Sequence, residues 1–174
     1  ADRVGAVAMS LRVRILGAAA GGGLPQWNCA APNSAAVWRG ETGAASATQS
    51  SLAATVDGER WLLINASPDL RAQIMASPPL HPRPADRAGL RNSPIAAVLL
   101  TNGDIDHVAG LLTLRERQAF DLWSTAGIAD VLAENPIFSA LDPGLVPRRR
   151  IALDAPTELL PGLTVELFAA PGKV

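Results

Sequence analysis

The sequence predicts a mixed α/β domain in which helices lie outside a sheet layer. Three observations carry this. Apolar runs of strand length occur at Trp61–Ile64 and Ile95–Leu100, Asp57-Gly58 is a strong hairpin signal, and helix starts follow strand ends after Asn65 and after Thr101. With 174 residues the chain is long enough for one domain with a sizeable core.

In chain order, Leu11–Leu16 alternates apolar and basic residues, the mark of a half-exposed first strand. Gly17–Gly43 is rich in Gly, Ala and Pro and has no periodicity, so it reads as one long loop, a length that is usually functional or disordered. Ser51–Val56 and Arg60–Asn65 are two strands joined at Asp57-Gly58, residues that both tolerate positive φ. Ser67-Pro68-Asp69 opens a helix, with Ser67 as N-cap and Pro68 in the first turn, running to about Ala76. A Pro-rich connection over Ser77–Asn92 leads to a buried strand at Pro94–Leu100 and a helix over His107–Glu116. Then come a strand (Phe120–Ser124), a helix capped by Thr125 (Gly127–Asn135), and strands at Arg150–Leu153 and Thr164–Ala169. There is no internal repeat.

Composition excludes several classes. Fifteen basic and sixteen acidic residues give no electrostatic case for nucleic acid or an anionic membrane. The one basic run, Arg148–Arg150, reads as a solvated loop before a strand. No apolar stretch approaches the ~20 residues of a membrane span, and no signal-peptide pattern is present. The single cysteine, Cys29, rules out an internal disulfide. The expectation is a soluble cytoplasmic protein, with a homo-oligomer open.

The chemistry concentrates in Thr101–Leu112, TNGDIDHVAGLL, between the Ile95–Leu100 run and a second apolar run from Val108. A strand end followed by a helix start is where α/β proteins place ligands. Asp104, Asp106 and His107 offer two carboxylates and an imidazole, a set that Fe(II), Mn(II) or Zn(II) accepts. The plain alternative is a polar turn with an acidic N-cap, a role that suits Asp106. Asn102 is a poor metal ligand and a better hydrogen-bonding support for Asp104 or a substrate.

A strand, Thr, four residues and then Asp-His resembles the metal loop of the metallo-β-lactamase superfamily, whose hydrolases carry His-x-His-x-Asp-His there. Asn102 and Asp104 replace the first two histidines, while Asp106 and His107 remain. This departure, TNxDxDH followed by xxGLLxLRE, resembles the pyrroloquinoline quinone (PQQ) biosynthesis protein B family. So do GAAAGGGLPQWNC (Gly17–Cys29), TQSS (Thr48–Ser51), GERWLLINASPDLRAQI (Gly58–Ile74), LRNSPIAAVLL (Leu90–Leu100) and PGKV (Pro171–Val174).

The resemblance implies the N-terminal half of an αββα sandwich and a metal site at Asp104, Asp106 and His107. It implies Fe(II) as the metal, with Zn(II) as an alternative, and oxygen-dependent hydroxylation of a tyrosine-derived PQQ precursor. A carrier for PQQ or its precursor is the alternative the family also implies. Hydrolases of the superfamily use about five histidines, and this chain has two, His81 and His107, with Lys173 where another would stand. A two-zinc β-lactamase mechanism therefore lacks its ligands, and His81 reads as an exposed loop residue. Relatives carry Cys-x-Cys-x-x-Cys around Cys29, where this chain has Ala31 and Ser34, so a structural zinc is not expected. Gly21-Gly22-Gly23 misses the phosphate-binding fingerprint. A close backbone approach to the site is the better reading, with Gln26, Trp27 and Asn28 lining it. Met9-Ser10 reads as the natural start, so residues 1–10 are expected to be a disordered extension and 11–174 the folded part, with a C-terminal part missing. One face of the sheet is then expected to be uncovered.

Overall fold

The computed structural model describes residues 10–84 and 89–171. The extension expected over residues 1–10 lies, apart from Ser10, outside the described residues, as does Lys173. Six strands form one sheet in simple sequence order: β1 (Arg12–Gly17), β2 (Ser51–Thr55), β3 (Trp61–Ile64), β4 (Ile95–Leu99), β5 (Asp121–Ser124) and β6 (Arg148–Arg150). The first two pairings are antiparallel, and those from β3 to β6 are parallel. The helices are α1 (Pro32–Trp38), α2 (Leu70–Met75), α3 (Ile105–Val108) and α4 (Ala126–Glu134). A separate two-stranded sheet pairs β7 (Thr157–Leu160) with β8 (Leu163–Val165).

Because side chains alternate across a strand, the register sorts the core into two faces. Ala53, Leu63, Val98 and Leu122 lie side by side and pack under Leu70 of α2, Val108 of α3, and Ile128 and Leu132 of α4. On the other face Ala54, Leu62, Ala97 and Leu99 pack against Leu159, Leu160 and Leu163 of the β7–β8 hairpin. Leu62, Leu63 and Val98 are wholly inaccessible, and each such side chain is worth about 1.5–3 kcal/mol of burial. Both faces of the central strands are therefore covered. The face left open lies at the β1 end: Val13 and Ile15, in register with Ala54 and Leu52, are 56% and 69% exposed.

Several expected elements shift. Within the long loop, Pro32–Trp38 is a helix that its seven residues were too few to reveal by periodicity. The β2–β3 turn is wider than a two-residue hairpin. Only Gly58 takes a positive φ (75°), while Asp57 acts as an acceptor, its Oδ1 taking the N–H groups of Glu59 (2.7 Å) and Arg60 (2.9 Å). Ser67 does not cap α2. Its hydroxyl donates to buried Gln73 Oε1 (3.1 Å), and Asp69 holds the N-cap position with its carboxylate on Gln49 N–H (3.0 Å). The expected His107–Glu116 helix starts at Ile105 and tightens into a 3-10 helix over Ala109–Leu114.

Arg148–Arg150 is not a loop but the edge strand β6. Arg149 pairs with Asp121 (3.3 Å), and Arg150 donates to the carbonyls of Thr125 (3.2 Å) and Ala126 (2.9 Å). Charged side chains on an edge also discourage strand-to-strand association. The strand expected at Thr164–Ala169 is shorter, and its partner β7 had no alternating pattern to announce it. Among the described residues, no helix is long and apolar enough to cross a membrane.

Candidate metal centre

The parallel strands β3 and β4 end side by side, and the chain leaving each turns towards the other. Thr101–Asp104 follows β4 and leads into α3, whose N-cap is Asp104, not Asp106. The Asp104 carbonyl accepts the N–H groups of His107 (2.9 Å) and Val108 (3.1 Å), but its side chain makes no capping bond and is exposed. Asn102 Oδ1 accepts the Asp104 N–H at 3.0 Å, so Asn102 supports Asp104 through the backbone.

Asp106 and His107 fall in the first turn of α3, largely buried, their side chains 18% and 17% exposed. His107 Nδ1 lies 3.2 Å from Asp106 Oδ1, yet it is buried and has no hydrogen-bond partner among the described residues. A buried polar nitrogen left unpaired costs about 1–3 kcal/mol. Two atoms bound to one cation at roughly 2.0–2.2 Å sit about 3 Å apart, so this pair has the spacing of neighbouring ligands. The donors fit one side of a metal's coordination sphere.

The expected trio is not gathered. Among the described residues no three His, Cys, Asp or Glu side chains are placed together to hold a metal ion. Asp104 is exposed at the N-cap of α3, its side chain making no capping bond that would hold it beside the other two. His81 is exposed, its Nε2 bonded to the Met75 carbonyl (3.1 Å).

The glycine-rich turn does reach the pair. A Cβ built on Gly21 would lie 3.1 Å from Asp106 Oδ2, so the backbone passes directly against the carboxylate. Gln26, Trp27 and Asn28 are all exposed, Trp27 by 83%. Beyond this turn Cys29 is half-buried, and Ser34 and Ala31 both act on its thiol. The Ser34 hydroxyl first, then the Ala31 backbone, hold it below the usual thiol range. Sequence reasoning missed Asn65, Ala66 and Gly110. Asn65 Oδ1 accepts from Thr101 N (2.9 Å) and Thr101 Oγ1 (3.0 Å), Ala66 N–H donates to the His107 carbonyl (2.8 Å), and Gly110 N–H donates to the Ala66 carbonyl (2.8 Å). The available signal was an Asn directly after a buried strand, a residue that tolerates the left-handed backbone it adopts here.

Residues 60–174 match the family described as Beta-lactamase superfamily domain. The chain belongs to that superfamily. It is 58% identical over 160 residues to the coenzyme PQQ synthesis protein B of Methylobacterium sp. (strain 4-46), covering 92% of this chain and 52% of that protein. With the protein of the same name from Rhizobium meliloti (strain 1021) it shares 54% over 164 residues, 94% of this chain and 52% of that one. The crystal structure of Zn(2+)-bound PqqB from Methylobacterium extorquens superposes with a TM-score of 0.87 at 55% identity, covering 91% of this chain and 56% of that one. A diphosphatase of the PhnP family, 20% identical with a TM-score of 0.63, shares the fold alone. The fold is that of the metallo-β-lactamases, and the relatives bear the name to which the motifs pointed. The chain spans about half the length of the curated relatives it matches.

Proposed function

We propose that the chain forms part of a coenzyme PQQ synthesis protein B, and that Asp106 and His107 supply ligands to a metal site where the tyrosine-derived PQQ precursor is hydroxylated with oxygen. The observation that carries this is the buried, unpaired His107 Nδ1 beside Asp106 Oδ1. Imidazole and carboxylate together suit non-haem Fe(II) with open positions, and the same donors accept Zn(II). Iron held by Asp106 and His107 would supply the activation of oxygen that hydroxylation requires.

The residues divide the remaining work. Asp106 and His107 bind, fixed in one helical turn. Asn102 holds the Asp104 amide, leaving the uncommitted Asp104 carboxylate free to rotate inwards as a third ligand. Gly21 keeps the space over Asp106 clear, since any side chain there would crowd the carboxylate. Exposed Trp27, with Gln26 and Asn28, offers a stacking and hydrogen-bonding surface to an aromatic substrate.

A carrier for PQQ or its precursor is the competing reading, favoured by the gathering of only two ligand side chains. Metal analysis of the full-length native protein, with oxygen uptake on the precursor, separates the two. Stoichiometric iron and uptake that disappears in His107→Ala support the hydroxylase. Metal-free protein that binds the precursor without consuming oxygen supports the carrier.

A further inference from the structure

The loop bearing Asp106 and His107 is gripped at both ends by the three residues that follow β3. Asn65 has φ 62°, in the left-handed region, and is 7% exposed. Its backbone is held in place: the N–H donates to the Leu99 carbonyl (2.8 Å) and its carbonyl accepts the Ser51 hydroxyl (2.8 Å). The side-chain oxygen then takes both donors of Thr101, the first residue of the loop. The left-handed turn sends the next residue, Ala66, across to the far end of the loop. There its N–H meets the carbonyl of His107 itself and its carbonyl meets Gly110 N–H. The approach is so close that a Cβ at Gly110 would sit 2.1 Å from the Ser67 carbonyl oxygen.

We infer that Asn65 is a positioning residue for the metal centre: its carboxamide oxygen fixes Thr101, and its left-handed backbone delivers the Ala66 N–H to His107, so that Asp106 and His107 are held facing one point. This rests on the metal-site reading above. Two properties are required at position 65, a tolerance of positive φ and a side-chain acceptor. Asn and Asp provide both, Gly only the first.

The test uses the full-length native protein, Zn2+ as the probe, and the variants Asn65→Gly, Asn65→Asp, Thr101→Val and His107→Ala. Zn2+ affinity is measured by chelator competition and amide hydrogen exchange is followed at Thr101 and Asp104–Val108. Asn65→Gly is expected to weaken Zn2+ binding roughly 10–100-fold, the usual effect of losing a supporting hydrogen bond, and to speed exchange at Thr101. Asn65→Asp is expected to restore both to within about threefold. Thr101→Val, which removes one of the two donors, should fall between them, and it decides the matter should Asn65→Gly not fold. Asn65→Gly binding as tightly as wild type, or Asn65→Asp binding as weakly as Asn65→Gly, overturns the inference. If wild type and His107→Ala bind Zn2+ equally, it is the metal-site reading that has failed. The exchange measurement then decides alone, and unchanged Thr101 protection in Asn65→Gly refutes the positioning role.

Discussion

Asp57 and Asp106 lie at opposite ends of the parallel strands, each in a turn and each partly buried, with side chains 26% and 18% exposed. Asp57 is saturated. It receives the backbone N–H groups of Glu59 and Arg60, the Thr55 hydroxyl (3.1 Å) and the Arg60 guanidinium (3.0 Å). Asp106 receives no hydrogen bond among the described residues; beside it stand the Gly21 backbone and an imidazole whose near nitrogen is also unpaired. Residue type and burial are nearly the same, so neither distinguishes a structural carboxylate from one proposed as a metal ligand. The donors do. A carboxylate filled by its own turn's N–H groups and a guanidinium has no lone pair left for a metal ion, whereas Asp106 accepts no hydrogen bond among the described residues.

The sharpest way to break this comparison is to remove each member. Asp106→Ala in the full-length protein should abolish metal binding while the thermal midpoint of the metal-free protein stays near that of wild type, because an unsatisfied carboxylate contributes little to stability. Metal content and calorimetry on the same sample check both halves. A variant that still binds metal stoichiometrically would place the site elsewhere.

Next in size is Gly110→Ala. The added Cβ meets backbone, not a flexible side chain, so the loop must move away from Ala66 and Ser67 at a cost of about 3 kcal/mol or more. Gly40→Ala is the control: nothing lies within 4 Å of its Cβ, and its φ of 66° alone should cost about 1 kcal/mol. Equal losses in denaturant titration would show that the close approach at Gly110 carries no strain.

For Asp57 the expected change is in stability alone. Asp57→Ala should cost about 1–2 kcal/mol at neutral pH and leave metal binding untouched. Partial burial pushes the Asp57 carboxyl up, but the Arg60 and Glu59 N–H groups, the guanidinium and the Thr55 hydroxyl outweigh it and hold the group well below the usual carboxylate range. A depressed folded value means the stabilisation is complete above the unfolded value, about 3.9. It is lost as pH falls from there through the folded value. The gap between wild type and Asp57→Asn in urea unfolding should therefore be constant from neutral pH to about pH 5 and shrink below about pH 4. A gap that widens in acid would reverse the assignment.

The elements legible in the sequence were those with a local cause. Trp61–Ile64 and Ile95–Leu99 announced themselves as uninterrupted apolar runs, and both are strands covered on two faces. Asp106 and His107 stood out as candidates by their order after a strand, and the structure places them side by side in one helical turn. What stayed hidden depends on contacts distant in sequence. Asn65 meets Thr101 across 36 residues, and Ser67 turns from its expected cap to Gln73 because buried Gln73 also bonds Thr48 and Gln49 and needs a donor for its oxygen. Nothing local to Asp104 says that its side chain stays at the surface while its neighbours turn in.

The smallest effect is expected at Cys29, which extends the comparison to a thiol. Like Asp57, it owes its lowered value to local donors, chiefly the Ser34 hydroxyl and then the Ala31 backbone. Hydrogen bonds to a thiolate favour the charged form, so removing the larger one should raise the pKa towards the ordinary thiol range. Ser34 is buried in α1, so Ser34→Ala changes the donor with little change of shape. The rate of Cys29 alkylation as a function of pH reads the result directly. Its midpoint should move to higher pH in Ser34→Ala, and the rate at neutral pH should fall, while metal binding at Asp106 and His107 is unchanged. A midpoint that stays put would assign the lowering to the Ala31 backbone. A loss of metal affinity would tie Cys29 to the metal centre and remove the distinction between carboxylates and thiols satisfied by their own turns and those left open for a cation.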